Sequence, residues 1–325
     1  MAIVGLASFT LSTPSANAQT NALRISIVPQ HPGPFEQVSV TVEDFSRDLN
    51  KVNIAWSLNG KTEQTGTGLK RYTLTTGALG TVSNISINMG GDVSTVTIRP
   101  TVTDILWQAD TFTPPFYKGK ALHSNQDPVT LVAEPFFITT TGTRLDPEKL
   151  IYKWKEGGKI NNNASGTGKR TFTINPSVLI RPIEVELEVT SSDNSYHSLS
   201  TIRIPDSKTE VLLYENDPLY GIRFEEALNG KDFSITEQEI RVFGVPMYFS
   251  NEQESGGELT LTWSLNNSRI NQTENEVIFR KPEGSVGGRS LISLGVKNPV
   301  RYAQFSNTSF YTVFANEETA TQSVF

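Results

Sequence analysis

The sequence predicts an all-β chain of three tandem β-sandwich domains, and three observations predict it. First, a tryptophan-centred stretch occurs three times: "IAWSLNGKTEQTGTGLKRYTL" at 54–74, "LIYKWKEGGKINNNASGTGKRTFTI" at 150–174 and "LTLTWSLNNSRINQTENEVIFRK" at 259–281. Second, Trp56, Trp154 and Trp263 are 98 and 109 residues apart. That period is too long for a solenoid repeat and suits a whole small domain. Third, strand-length alternations bounded by Gly, Asn, Pro and Ser recur along the chain. No amphipathic pattern exceeds about two helical turns.

Each copy is laid out alike. Apolar residues stand two positions before the tryptophan, at Ile54, Tyr152 and Leu261. Turn residues follow it, at Asn59-Gly60, Gly157-Gly158 and Asn266-Asn267, and such pairs favour the tight turns that join hairpin strands. The chain then returns to an alternating segment through Tyr72, Phe172 and Phe279. "VTVEDF" (40–45), "LVAEPF" (131–136) and "VFGVPM" (242–247) precede the tryptophans as a shared upstream strand. Copies two and three also share a lead-in, "ILWQADTFTPPFYKGKAL" (105–122) and "VLLYENDPLYGIRFEEAL" (211–228), which copy one shortens to "PQHPGPFEQ" (29–37). "VSVTV" (38–42), "SNISINM" (83–89), "VSTVTI" (93–98) and above all "PIEVELEV" (182–189) alternate with period two. In the last of these Ile183, Val185, Leu187 and Val189 point one way and Glu184, Glu186 and Glu188 the other. "DPEKL" (146–150) and "SITEQEI" (234–240) each read as a single helical turn.

About seven short strands in roughly 100 residues, with a tryptophan on a central strand, is the immunoglobulin-like pattern. The expected boundaries are residues 19–100, 101–205 and 206–315, with a polar tail at 316–325. Junctions as brief as Arg99-Pro100 and Pro205-Asp206 lead us to expect a semi-rigid arrangement. There is no cysteine, so no disulfide ties the sheets together. The expected core is therefore built on Trp56, Trp154 and Trp263 with Tyr72, Phe172 and Phe279. These repeats, with "PPFYKGKAL" and "SGTGKRTFTI", resemble the immunoglobulin-like and PKD-like modules found in tandem in secreted and surface proteins of bacteria. PKD modules often carry an aromatic residue and an aspartate after the tryptophan. "WSLNGK" and "WKEGGK" lack both, which favours the general immunoglobulin-like label. The resemblance implies a β-sandwich fold and supplies no catalytic residues.

Composition narrows the chemistry. A net charge of −6 with scattered Lys and Arg disfavours nucleic acid, which requires a concentrated positive field. The absence of cysteine excludes thiolate metal sites, iron–sulfur clusters and cysteine nucleophiles. His31, His123 and His197 lie far apart without zinc spacing or a G-x-S-x-G elbow; His31 and His123 read as exposed loop residues. The two "GTG" tripeptides, 66–68 and 166–168, lead into strands rather than a helix N-terminus, so they read as tight turns or bulges and not phosphate cradles. The carboxylate pairs Asp44/Asp48, Glu225/Glu226 and Glu252/Glu254 sit in polar, loop-like contexts and read as solvated surface. No cofactor is expected. Interdomain calcium is the softer possibility, from Asp104, Asp110, Asp127 and Asp217 near the lead-ins, although no EF-hand spacing is present.

The expected function is that of a secreted or cell-surface, non-enzymatic protein with a structural, adhesive or appendage-associated role. The alternative is a carbohydrate-binding accessory. Candidate partner-binding residues are the lead-in aromatics Trp107, Phe116, Tyr117, Tyr214 and Tyr220, because loop aromatics stack on sugars or anchor a protein partner. The reading preferred over this is that they plug the junction between neighbouring sandwiches or cover a sheet edge, since both copies keep the lead-in where the chain crosses from one domain to the next. The partner is expected to be an extracellular protein or glycan. Residues 1–18 read as a signal peptide, with an apolar stretch from Ala2 to Leu11 and Ala16-Asn17-Ala18 before Gln19. No later stretch reaches the ~20 apolar residues of a membrane span.

Overall fold

The computed structural model describes residues 23–115, 117–175, 182–235, 238–281 and 287–314. The expected signal peptide and polar tail lie outside them. The described chain is almost entirely β and forms three tandem immunoglobulin-like sandwiches, each with its own apolar core. Contacts group the chain into two compact units. One runs to Thr101 and takes in Ile138–Thr143; the other holds Val102–Phe137 and the chain from Arg144 onward.

The first sandwich comprises β1 (Leu23–Val28), β2 (Gln37–Asp44), β3 (Asn53–Leu58), β4 (Lys61–Thr67), β5 (Arg71–Thr75), β6 (Ser83–Met89) and β7 (Asp92–Ile98). A sheet ordered β1-β2-β5 faces one ordered β4-β3-β6-β7. Alternate residues Val38, Val40 and Val42 of β2 meet Ile54 and Trp56 of β3 and Ile85 and Ile87 of β6 in the core. Period-two alternation creates this core, because every second side chain of each strand faces the opposite sheet.

The second sandwich comprises β8 (Val102–Ala109), β9 (Val129–Phe136), β10 (Ile151–Glu156), β11 (Lys159–Ile160), β12 (Gly166–Thr167), β13 (Thr171–Ile174), β14 (Ile183–Thr190) and β15 (His197–Ile204). One sheet is ordered β13-β9-β8, the other β11-β10-β14-β15, with β12 also paired to β10. On β14, Ile183, Val185, Leu187 and Val189 are buried. Their neighbours Glu186 and Glu188 pair across the outer face with Lys155 and Lys153, so the alternation sorts core from charge ladder.

The third sandwich comprises β16 (Glu210–Asp217), β17 (Gly221–Ile222), β18 (Asp232–Ile235), β19 (Glu239–Met247), β20 (Thr260–Leu265), β21 (Ser268–Arg269), β22 (Glu276–Arg280), β23 (Gly288–Lys297) and β24 (Phe305–Phe314). The sheets are ordered β17-β16-β19-β22 and β18-β24-β23-β20-β21. Strand β18 runs parallel to β24. Where a helical turn is expected at 234–240, Ser234 and Ile235 end β18 and Glu239 and Ile240 begin β19; residues 236–237 lie outside the described residues. The burial of Ile235 and Ile240 in the core outweighs the local helical composition. The turn expected at 146–150 forms as a 3-10 turn at Pro147–Lys149, capped by the Asp146 carboxylate. A further short helix, α1 (Asn251–Ser255), carries Glu252 and Glu254, which the sequence places in a loop.

The three tryptophans occupy matching positions. Trp56, Trp154 and Trp263 are fully buried and lie opposite Ile87, Leu187 and Leu294 on the adjacent strand. Their indole N–H groups donate to the carbonyls of Leu69, Lys169 and Glu274 at 2.7, 2.9 and 2.9 Å. Their rings meet Tyr72, Phe172 and Phe279 with centroids 5.6, 5.6 and 6.4 Å apart. The hairpin after each tryptophan turns through two residues at positive φ: Asn59-Gly60, Gly157-Gly158 and Asn266-Asn267.

Candidate functional site

The lead-ins are strands β8 and β16 and the loops that follow them. Trp107 is half-buried on β8 and carries the Lys120 ammonium 3.3 Å from its ring centroid. Phe116 lies outside the described residues. Tyr117 is partly exposed, and its hydroxyl meets that of buried Tyr248 at 2.8 Å. Tyr214 is buried, edge-on to Phe224 at 5.2 Å, in an apolar cluster with Val245, Met247 and Tyr248. Phe112 and Leu122 of the second lead-in pack against the same cluster. Tyr214 is therefore corrected as a partner-binding candidate: it points inward on β16, where the second lead-in covers it. Tyr220 differs, being 79 % exposed beside Leu219 at 86 %. Both sit between β16 and β17, where their N–H groups donate to the Asp217 carboxylate at 3.0 and 2.7 Å.

The second lead-in also forms backbone pairs with the third sandwich. Phe112 N–H donates to Phe249 O at 2.7 Å, and Tyr248 N–H to Phe112 O at 2.9 Å. Behind this pairing lies a buried polar knot. Asp127 is fully buried. One carboxylate oxygen accepts from the Arg301 guanidinium and the other from the Gln304 amide and the Ser124 hydroxyl. Arg301 also donates to Gln126 O at 2.7 Å and to the Gln253 amide oxygen at 3.1 Å. The Gln304 amide oxygen accepts from Ser250 N–H at 3.1 Å and from the Asn298 amide at 2.8 Å. The Ser124 hydroxyl oxygen also lies 2.6 Å from Tyr248 O, so its one proton is shared between that carbonyl and the Asp127 carboxylate. Such burial costs heavily unless each polar atom finds a partner, and this network supplies partners from both sandwiches.

Burial pushes the Asp127 carboxyl up to about 6, opposed by the Arg301 charge and the Ser124 and Gln304 hydrogen bonds. His123 is corrected as an exposed loop residue. It is buried, its Nε2 lies 3.8 Å from an Asp206 oxygen, and burial lowers its imidazole to about 4. The calcium reading meets a different arrangement at Asp127, because the cation there is the Arg301 guanidinium. Asp104 and Asp110 are exposed, and Asp217 caps its own turn. Among the described residues no group of three or more His, Asp or Glu side chains is placed to hold a metal ion.

The remaining candidates are dispersed. Asp44 accepts from Arg47 at 2.7 Å and Asp48 caps a 3-10 turn at Leu49–Lys51. Glu225 pairs with Arg223, Glu226 with Lys231 and Glu252 with Arg301. Gly66-Thr67 and Gly166-Thr167 end strands beside the tryptophan strand, and Gly68 and Gly168 follow at φ +76° and +69°. His31 and His197 are half-buried, and the His197 ring nitrogen lies 3.1 Å from Asn194 O. A cleft of about 600 Å³ opens in the third sandwich among Leu265, Ile270, Val277, Phe279, Ile292 and Phe314, with Arg280 at its edge. No helix among the described residues is long and apolar enough to cross a membrane.

No protein-family model matches the chain, and no curated protein matches it. Among solved structures, it is similar to the three N-terminal domains of the Highly Immunogenic Outer Capsid protein (Hoc) of bacteriophage RB49, with 10 % identity, 91 % of this chain and 99 % of that chain covered, and a TM-score of 0.28. It is also similar to fibronectin(III)-like modules of Clostridium thermocellum CbhA, at 8 % identity, 56 % and 94 % coverage and a TM-score of 0.26. The N-terminal four Ig domains of Dscam1 isoform 7.44 align at 10 % identity, 88 % and 71 % coverage and a TM-score of 0.24. At these scores the likenesses add nothing to the sheets and registers that define the fold.

Proposed function

We propose that this chain is a non-enzymatic, secreted or cell-surface scaffold that contacts an extracellular protein through loops carried on its sandwiches. The observation that supports this most is the buried knot. The groups that acid–base or nucleophilic chemistry would draw on there, Asp127 and the Ser124 hydroxyl, are engaged by Arg301, Gln304 and Tyr248 O in joining two sandwiches. The exposed pair Leu219 and Tyr220, fixed by the Asp217 turn, offers an apolar anchor of the kind that carries binding energy at protein interfaces. The boundaries 19–100, 101–205 and 206–315 remain our assignment of the three domains.

A second reading, a carbohydrate-binding accessory, draws on the exposed Tyr220 ring, since an aromatic face stacks on a sugar. The purified chain and a Leu219→Ser/Tyr220→Ser variant are tested against a glycan array and against surface proteins of cells to which the chain adheres. The scaffold reading expects protein binding that the double variant loses. Glycan binding lost on Tyr220→Ala alone would favour the second reading. Turnover in a broad hydrolase screen, abolished by changing one carboxylate, would overturn both.

A further inference from the structure

The three copies differ at one edge of the tryptophan strand. In the first sandwich the chain after the hairpin stays beside β3, with Ile54 opposite Gly66 and Asn53 opposite Thr67. Gly68 N–H then donates to Val52 O at 3.0 Å. In the second, Tyr152 lies opposite Gly166 and Ile151 opposite Thr167, and Gly168 N–H donates to Leu150 O at 2.9 Å. Val52 and Leu150 each stand four residues before their tryptophan, the place that Leu259 holds in the third copy. There, pairing with β21 ends at Ser264 and Arg269, and the last bond to this edge is Ile270 N–H to Trp263 O at 3.0 Å.

The chain then crosses early to the other sheet. The carbonyl that accepts the indole N–H is 11 residues beyond the tryptophan, against 13 and 15 in the other copies. Trp263 turns its carbonyl toward the vacated edge, so Leu261, two residues back, turns its N–H and C=O the same way. Among the described residues these groups and Leu259 O have no partner on that side. A groove of about 370 Å³ lies there, lined by Leu259, Leu261, Glu254, Gly257, Thr273 and Glu274.

Charge differs as well. Where copies one and two carry Lys70-Arg71 and Lys169-Arg170 after their Gly-Thr-Gly, copy three has Glu274 and Glu276. Glu254, on α1, lines the groove, and burial raises its carboxyl above the ordinary value. The other two copies thus show what fills this place: an extended segment with small side chains, followed by a basic pair.

We propose that the β20 edge is a strand-acceptor site, at which an extended segment of a partner protein, bearing small residues followed by Lys or Arg, adds as the missing strand. Main-chain bonds to Leu259 O and to Leu261 would give affinity, and Glu254 and Glu274 would select the basic residues, as in other cases of strand addition at a sheet edge.

The probe is a synthetic peptide of residues 164–171, Ala-Ser-Gly-Thr-Gly-Lys-Arg-Thr, added to the isotope-labelled full chain. In the free chain the Leu261 amide should exchange with solvent at least about tenfold faster than those of Ile54 and Tyr152. Saturating peptide should slow it about tenfold and shift the Leu261 and Trp263 amide resonances. A peptide carrying Gly166→Pro and Gly168→Pro, which lacks the two N–H groups that face the edge, should do neither. Inserting Gly-Thr-Gly-Lys between Gln272 and Thr273 should abolish binding by supplying the strand in cis. Unchanged Leu261 and Trp263 amides at millimolar peptide would overturn the proposal, as would a Leu261 amide already as protected as Ile54. Protection that rises with protein concentration alone would place a second copy there and overturn the assignment to a partner protein.

Discussion

Each buried indole fills the space between two sheets and gives one crossing carbonyl its donor. Trp56→Ala removes both, leaving a cavity and an unpaired Leu69 carbonyl. The expected cost is about 3–5 kcal/mol, read as a lowered urea midpoint for the first sandwich. That is a large share of the ~5–15 kcal/mol a domain has. These residues were legible in the sequence because a tryptophan within a period-two run has one place to go. His123 was not legible. Its neighbours Ser124, Asn125 and Gln126 read as loop, and its burial comes from residues distant in the chain, Asp206 among them. Folding holds its imidazole at about 4, below the ordinary 6.5, so the unfolded chain binds a proton that the fold excludes. That contribution is full above pH 6.5 and is lost as the pH falls toward 4. Asp127 runs oppositely: raised from 3.8 to about 6, it favours the fold as the pH falls from 6 toward 3.8. His123→Asn should therefore gain stability relative to wild type as the pH drops from 6.5 to 4. Urea midpoints that move in parallel for the two proteins would contradict this.

At the scale of elements, the hairpins after the tryptophans carry the clearest local signal. Asn59-Gly60 and its two counterparts supply paired positive-φ residues, which a two-residue turn between right-twisted strands requires. Nothing lies within 4 Å of a Cβ built on Gly60, whose φ is +85°. Gly60→Val is thus expected to cost about 1–2 kcal/mol through backbone conformation alone, seen as a lower thermal midpoint with an unchanged far-ultraviolet spectrum. "SITEQEI" was misleading because its polar composition hides Ile235 and Ile240, which face one core from two strands. Helix α1 escaped notice because five residues carry no measurable period. The short return after Trp263 was visible in the third copy's lack of Gly-Thr-Gly, but only registers show that it leaves Leu261 without an edge partner.

For the whole molecule, the sequence repeats foretold three sandwiches and the lead-in aromatics pointed to their junction, whereas the polar knot between the second and third left no local trace. Asp127 and Arg301 are 174 residues apart, and Asp127 and Gln304 are 177 apart. They sit in "SNQDP" and "NPVRYAQ". Breaking such a buried pair leaves a charge without compensation, so Asp127→Ala should cost about 3–5 kcal/mol and uncouple the two sandwiches. The most direct test of that joint is urea unfolding of the full chain labelled with 5-fluorotryptophan, following Trp154 and Trp263 separately by fluorine resonance. The account predicts coincident midpoints for the two residues in the wild type and separated midpoints in Arg301→Ala. Separate midpoints already in the wild type, unmoved by Arg301→Ala, would contradict it.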